Sequence, residues 1–448
     1  MTRPEPDRIA AARLASGSSA LVALLLACAA SPACGDDSAA PSDAATPLDA
    51  AEADLGTAGD ADSDTTRDAS ASDARLDATP LDAGPEPPVP ATIVRNRSLT
   101  WDQPSLLDDP ERLGLARLMW LVAGDRHGGP LVDRWFRRFA TTAHSERLGP
   151  QLLLEQLAQS AGVEPSLWDL DALPFRVTGV HNRIDLRSDA HCGEIRVSLA
   201  SIDPILQPFH LIFLFRQSPL ADDRDATGAL HCRATARLWA SFSELEEDAF
   251  TVAARALLDR ALRADTFLVV ETLEFLISPW EWRQWFLEPN PDSATVATLP
   301  FVLENRPLFQ TVDSPRLNRP GPERDDFLAW VSANAAELDA RRALVPDRFR
   351  APSARVNQGV PWIPLDLSGV SPEVLGRYPR LRQQIEIVGC PACHATDAEF
   401  VQTSAERVVS PFYDKELRAR GEHLRAIALG AAPAPPFGPL QAEPRLPP

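Results

Sequence analysis

The chain has 448 residues, with 63 acidic and 44 basic side chains, a net charge of −19 and 42 prolines. That balance, without a basic stripe to neutralise phosphates, argues against nucleic acid as a partner. No run reaches 18 apolar residues, so no spanning helix is expected, and the six cysteines and eight histidines become the residues to place.

Residues 1–34 read as a signal peptide and lipobox region. Arg3, Arg8 and Arg13 precede the apolar run "ALVALLLACAA" at 20–30, which has the shape of a secretory signal. Leu25-Leu26-Ala27-Cys28 has the form of a bacterial lipobox, in which the cysteine is acylated. Cys34 in "SPACGDD" is the second lipidation candidate, and cleavage with release is the third outcome. Cysteine parity favours Cys34, because its acylation leaves four cysteines for an oxidising compartment whereas acylation of Cys28 leaves five. The expectation is an exported protein, membrane-anchored in the cell envelope through an N-terminal lipid.

Residues 35–92 are built from Ala, Asp, Pro, Ser and Thr, with no aromatic side chain. Such a stretch buries too little apolar surface to offset its ordering entropy, which predicts a disordered tether. It holds 14 acidic residues and two arginines, so residues 93–448 carry only −8 of the total charge. The acidity is mostly a property of the tether.

Residues 93–385 read as the globular domain, and all ten tryptophans fall between Trp101 and Trp362. Helical spacing of apolar residues marks "DDPERLGLARLMWLVAG", "PLVDRWFRRFATTAH" and "GPQLLLEQLAQSAG". The period then shortens: "FRVTGVHNRIDL", "GEIRVSLASID", "FHLIFLFRQ", "DTFLVVETLEFLI" and "PWEWRQWFLE" read as strands. One long helical stretch, "CRATARLWASFSELEEDAFTVAARALLDRAL", interrupts them, and "DDFLAWVSANAAELDARRAL" follows. Short links between strands predict antiparallel pairing. The fold class is therefore α+β, a mostly antiparallel sheet flanked by helices, with a disordered N-terminal tether.

Residues 386–428 form a C-terminal helical segment that opens on "VGCPACHATDAEF", and 429–448 are a Pro-rich tail. Cys390, Cys393 and His394 match the attachment motif of a c-type haem, in which two thiols bond the vinyl groups and the adjacent histidine binds the metal. The alternative is a disulfide between Cys390 and Cys393 with an incidental histidine. Met1 and Met119 are the only methionines, so none after the motif can be an axial ligand. His423, 29 residues beyond His394, is the candidate for the sixth position. It falls in "SPFYDKELRARGEHLRAIAL", a helix with Pro411 at its first position, about 100° from Leu424 at the edge of an apolar stripe. A solvated or edge histidine is the simpler reading there.

The blocks "PFRVTGVHNRIDLR", "CGEIRVSLASID", "FHLIFLFRQ", "PWEWRQWFLE", "RLNRPGPERDDFLAWVSANAAEL", "GCPACHATDAEF" and "SPFYDKELRAR" occur in this order. In this the chain resembles an uncharacterised family of exported bacterial proteins that end in a single Cys-x-x-Cys-His, over roughly residues 170 to 425. The resemblance implies the architecture and the importance of the motif, and no reaction. The family's motif is followed by a phenylalanine and a second histidine, where this chain has Phe400-Val401-Gln402.

Two dipeptides, His191-Cys192 and His231-Cys232, offer a zinc site or, more simply, a Cys192–Cys232 disulfide closing about 40 residues. Such a loop is expected to add on the order of 3 to 4 kcal/mol. In "HNRIDLRSDAHCGEIR", Arg183, Asp185, Arg187, Glu194 and Arg196 alternate with apolar positions, the pattern of an ion-pair ladder on one sheet face. The other reading is an arginine-lined pocket for a carboxylate, with His181 beside it. No Gly-x-Ser-x-Gly, His-Glu-x-x-His, Gly-x-x-x-x-Gly-Lys or Gly-x-Gly-x-x-Gly occurs, so no nucleophile is nominated and no redox partner is legible.

Overall fold

The computed structural model describes residues 88–431, apart from 125–126, 142–147, 162–163, 204–208, 275–279, 291–299, 309–310, 341–342, 344, 358–359, 362, 383–384, 386–403 and 410. In chain order the first elements are α1 (Arg95–Ser98), β1 (Thr100–Trp101), α2 (Pro104–Leu107), α3 (Pro110–Leu113), α4 (Leu115–Val122), α5 (Gly129–Thr141) and α6 (Leu148–Ala161). Then come β2 (Phe175–Arg183), β3 (Glu194–Ser201), β4 (Phe209–Arg216), α7 (Arg233–Ser241), α8 (Glu247–Ala261), β5 (Phe267–Glu274), β6 (Trp280–Pro289) and β7 (Phe301–Asn305). The last are α9 (Ser314–Leu317), α10 (Pro322–Ala333), α11 (Ala335–Asp339), β8 (Ala354–Asn357), β9 (Val360–Pro361), α12 (Pro372–Arg377) and α13 (Pro411–Ala428).

The fold is α+β. Every strand pair among the described residues is antiparallel, in the order β1-β2-β3-β4-β5-β6-β8-β9, with β7 also paired to β6. β7 and β8 share the far side of β6: β8 pairs with its Trp280–Trp282 end and β7 with its Trp285–Pro289 end.

One row of cross-strand partners defines the core. Trp101, Val180, Val197, Phe213, Val270 and Trp285 lie opposite one another on six successive strands, and each has 0% of its surface exposed. Because strand side chains alternate, the neighbours of these residues point to the other side of the sheet. The row joins a large cluster with Met119 of α4, Trp135 and Phe139 of α5, Trp239 of α7, Phe250 of α8, and Leu417, Leu424 and Ile427 of α13. A separate apolar cluster gathers Phe327 and Val331 of α10 with Phe349, Leu365, Leu367, Leu381 and Ile385.

Two helical expectations divide. The single helix expected over 110–122 breaks at Gly114, whose extended backbone comes so close to α3 that a Cβ would lie 2.5 Å from the Pro110 oxygen. The long helix expected over 232–262 becomes α7, a short 3-10 turn (Phe242–Glu244) and α8. Its bend lets Trp239, Phe242 and Phe250 surround Trp101, with ring centroids 4.9 to 5.7 Å away. Glu247 and Asp248 then begin α8, where a helix N-terminus favours negative charge.

Candidate functional site

On the sheet face opposite the Trp101–Trp285 row, a set of buried polar residues lies beside a small apolar cluster of Ile212, Leu214, Val269 and Leu273. The pairing sets His181 opposite Arg196 and Arg183 opposite Glu194, and further along sets Glu271 opposite Gln284. All six have at most 3% of their surface exposed. Buried charge is tolerated only when paired and hydrogen-bonded, and here it is. The Arg183 guanidinium makes a fork with Asp185, donating from Nε to Oδ1 (3.0 Å) and from Nη2 to Oδ2 (2.9 Å). Arg196 donates from Nε and Nη2 to Glu194 Oε2 (2.9 and 2.7 Å), and its Nη1 lies 3.9 Å from Glu271 Oε2. Gln284 Nε2 completes the row by donating to Glu271 Oε1 at 3.0 Å.

Helix α13 brings further charges. Arg420 Nε lies 3.9 Å from Asp185 Oδ2, and Arg420 Nη2 donates to Glu416 Oε1 one turn earlier at 2.6 Å. Burial alone would raise the Asp185 carboxyl, but the guanidinium groups of Arg183 and Arg420 hold it below the usual range. Glu416 is lowered in the same way, burial being outweighed by Arg420 and Arg183. Four members of the expected ladder, Arg183, Asp185, Glu194 and Arg196, are thus paired and extended by a helix more than 200 residues away in sequence, whereas Arg187 lies on the loop after β2 against His423.

His181 sits between two hydroxyls, its Nδ1 2.8 Å from Thr100 Oγ1 and its Nε2 3.0 Å from Ser198 Oγ. A serine against an imidazole nitrogen is the geometry of an activated nucleophile. The chemistry differs, because burial and then Arg420, Arg196 and Arg183 push the imidazole well below its ordinary pKa. Burial and the neighbouring guanidinium groups favour the neutral imidazole in the fold. His181 therefore serves as a neutral link between β1, β2 and β3.

Glu274 and Glu281 lie opposite each other at one end of the helix-covered face, fully buried. Arg283 donates to Glu281 Oε1 (2.7 Å) and to Asn305 Oδ1 (2.6 Å), and its guanidinium lies 5.9 Å from the Phe139 ring centre.

Cys192 and Cys232 are joined in a disulfide, with Cα atoms 5.3 Å apart. Cys192 ends the turn after β2. There Gly193 has φ +94° and a Cβ would collide with the Arg183 carbonyl oxygen, so only glycine fits. His191 and His231 turn to the backbone, His191 Nδ1 against Gly193 and His231 Nδ1 accepting from Arg233 N–H at 3.2 Å. Among the described residues no group of three or more His, Cys, Asp or Glu is placed to hold a metal.

Cys390, Cys393 and His394 lie outside the described residues, as do Cys28 and Cys34. His423 is described and is buried, with 7% of its surface exposed, which corrects the solvated half of the expectation of a solvated or edge histidine. The physical reason is the loop after β2, from which Arg187 Nη1 donates to His423 Nε2 at 3.4 Å. Burial lowers the pKa of that guanidinium. The sequence points to Arg183, Asp185 and Arg196, but not to Thr100, Ser198, Glu271, Glu416 or Arg420. For Glu271 the signal was present: a carboxylate within the apolar run "FLVVETLE" needs a buried partner. Compared with protein-family models, curated proteins and solved structures, the chain matches none.

Proposed function

We propose that this chain is a cell-envelope lipoprotein, lipidated at Cys28 or Cys34, that carries one c-type haem on Cys390 and Cys393 and serves in electron transfer. The observation that supports this best is the fixing of the chain on both sides of the motif. Upstream, Leu381 and Ile385 are buried in the second apolar cluster. Downstream, Ala405 is buried and its carbonyl accepts from Arg176 Nη1 at 3.3 Å. Arg407 then donates from Nε to the Val177 carbonyl at 3.0 Å and pairs with Asp108. A functional group gains precision when the chain that carries it is anchored on rigid elements, and 386–403 is bracketed in this way. The Cys192–Cys232 disulfide supports the exported location, since such bonds persist in oxidising compartments.

In this reading Cys390 and Cys393 hold the group covalently and His394 binds its metal, the group supplying one-electron chemistry when bound. His423 fits a ligand role only if Arg187 gives up its hydrogen bond to Nε2. A second reading is a non-catalytic structural or ligand-binding lipoprotein in which Cys390 and Cys393 form a disulfide. It is favoured by the same Cys192–Cys232 bond, which marks conditions in which paired thiols oxidise.

The test is the intact mass and visible spectrum of the chain purified from cells with an active c-type maturation system. The expected result is the added mass of one haem, with a Soret band that survives denaturation and is lost in Cys390→Ser/Cys393→Ser. Colourless protein at the mass of the oxidised chain, beside a control cytochrome matured in the same cells, overturns the haem reading and leaves the second.

A further inference from the structure

Helix α13 packs Leu417, Leu424 and Ile427 into the main core and Gly421 against Ile93 and Leu99, and polar contacts from two further elements hold it. The first is the loop from Ile184 to Gly193, which supplies Asp185 to Arg420 (3.9 Å) and Arg187 to His423 (3.4 Å). The second is α7, whose Arg233 and Arg237 donate from Nε to the Ala428 carbonyl at 3.4 and 3.0 Å. The last carbonyls of a helix have no partner within it and form its negative end, so two guanidinium groups there both satisfy an acceptor and match the dipole. The loop and α7 are far apart in sequence, yet one covalent bond joins them. Cys192 closes the loop, Cys232 is the residue that caps α7, and the two are disulfide-bonded.

The start of α7 is fixed independently. The fully buried Asp223 accepts from Thr235 N–H at Oδ1 (2.9 Å) and from Leu220 N–H at Oδ2 (2.8 Å). What the disulfide adds is therefore the tie between the two grips. We infer that the Cys192–Cys232 disulfide is a latch for α13, joining the loop that holds its middle to the helix that holds its end, so that firm docking waits on oxidation of this pair. The inference does not depend on what Cys390, Cys393 and His394 carry.

Closing the latch takes two electrons and two protons from the cysteines. Exchange with a protein oxidant in its disulfide form supplies the balance: one thiolate attacks that disulfide, the second displaces the mixed intermediate, and the oxidant leaves as a dithiol. Both cysteines have 0% of their surface exposed, so the closed bond is shielded from thiols in solution. The latch closes once, on maturation.

Hydrogen exchange followed by mass spectrometry on the full chain tests this, comparing oxidised protein with protein refolded under a phosphine reductant. The expected result is that α13 amides exchange at least about tenfold faster in the reduced chain while β3 and β4 change less. In Arg187→Gln/Arg237→Gln with the disulfide intact, α13 should also exchange faster, and reduction should then add less than it does in the unaltered chain, because both act through the same contacts. Unchanged α13 exchange in either protein overturns the inference. So does an equal rise in β3 and β4, which makes the bond a general stabiliser. If the reduced chain does not refold, Cys192→Ala/Cys232→Ala takes its place in the same comparison, and α13 exchange unchanged in that variant overturns the inference.

Discussion

The two faces of the central sheet both carry buried residues, but in different proportions of apolar contact and ion pairing. On one, Trp101, Val180, Val197, Phe213, Val270 and Trp285 run across six strands under helices. On the other, the residues next to them in the chain include Thr100, His181 and Arg196, each tied to a specific partner. Apolar burial is non-directional and grows with area, so its loss scales with volume removed. A buried ion pair is asymmetric: intact, it is close to neutral against an apolar substitute, whereas losing one member is costly. The apolar row thus supplies stability, and the buried ion pairs supply a demand for correct geometry.

Mutations sharpen this contrast. The largest effect is expected at the centre of the apolar row, where Phe213→Ala should cost about 3 to 5 kcal/mol in urea unfolding. On the polar face, Arg183→Met strands the Asp185 carboxylate with Arg420 at 3.9 Å and should cost about 3 kcal/mol. Adding Asp185→Leu should recover most of that loss, measured in the same denaturation series. An apolar pair that stays as unstable as the single variant would break the comparison.

A smaller effect follows from protonation. His210, buried on the polar side with a pKa lowered to about 4 by burial, takes its proton in the unfolded chain first. Its contribution is full above the unfolded value near 6.5 and is lost as pH falls toward 4. His181 acts in the same direction. The depressed carboxyls of Asp185 and Glu416 weaken the fold only below about pH 4.5, so the window from 6.5 to 5 isolates the histidines. Across that window His210→Gln should remove about 2 kcal/mol of the pH-dependent loss of stability, read as unfolding midpoints at pH 7 and 5.

The strands of the sheet were legible because "EIRVSLAS" and "FHLIFLFR" keep a two-residue period, and short links between them leave antiparallel pairing as the simple arrangement. The alternation could not say whether the polar face meets solvent. Its cover includes Glu416 and Arg420, separated from Asp185 by more than 200 residues, and no local pattern encodes such a contact. The helix breaks were hidden for a related reason. Gly114 and Phe242 interrupt runs that suit a helix in isolation, and tertiary packing around Asp171 and Trp101 decides them. His423 looked like an edge residue from the angle it makes with Leu424, because the loop that buries it follows β2. Of the candidate site, the cysteines and His394 are read from sequence alone, and the charged ladder is where sequence and structure meet.

The sheet also closes off its own margins. It starts at β1, two residues long, and β9 at the other end is equally short. Along the third margin, β7 carries Glu304, which pairs with Arg138 of α5. A long bare strand is a template on which another chain can add and grow into a fibre; two-residue ends offer too few backbone groups to nucleate that addition. For a sheet this wide, the brevity of its outermost strands is a defence against self-association.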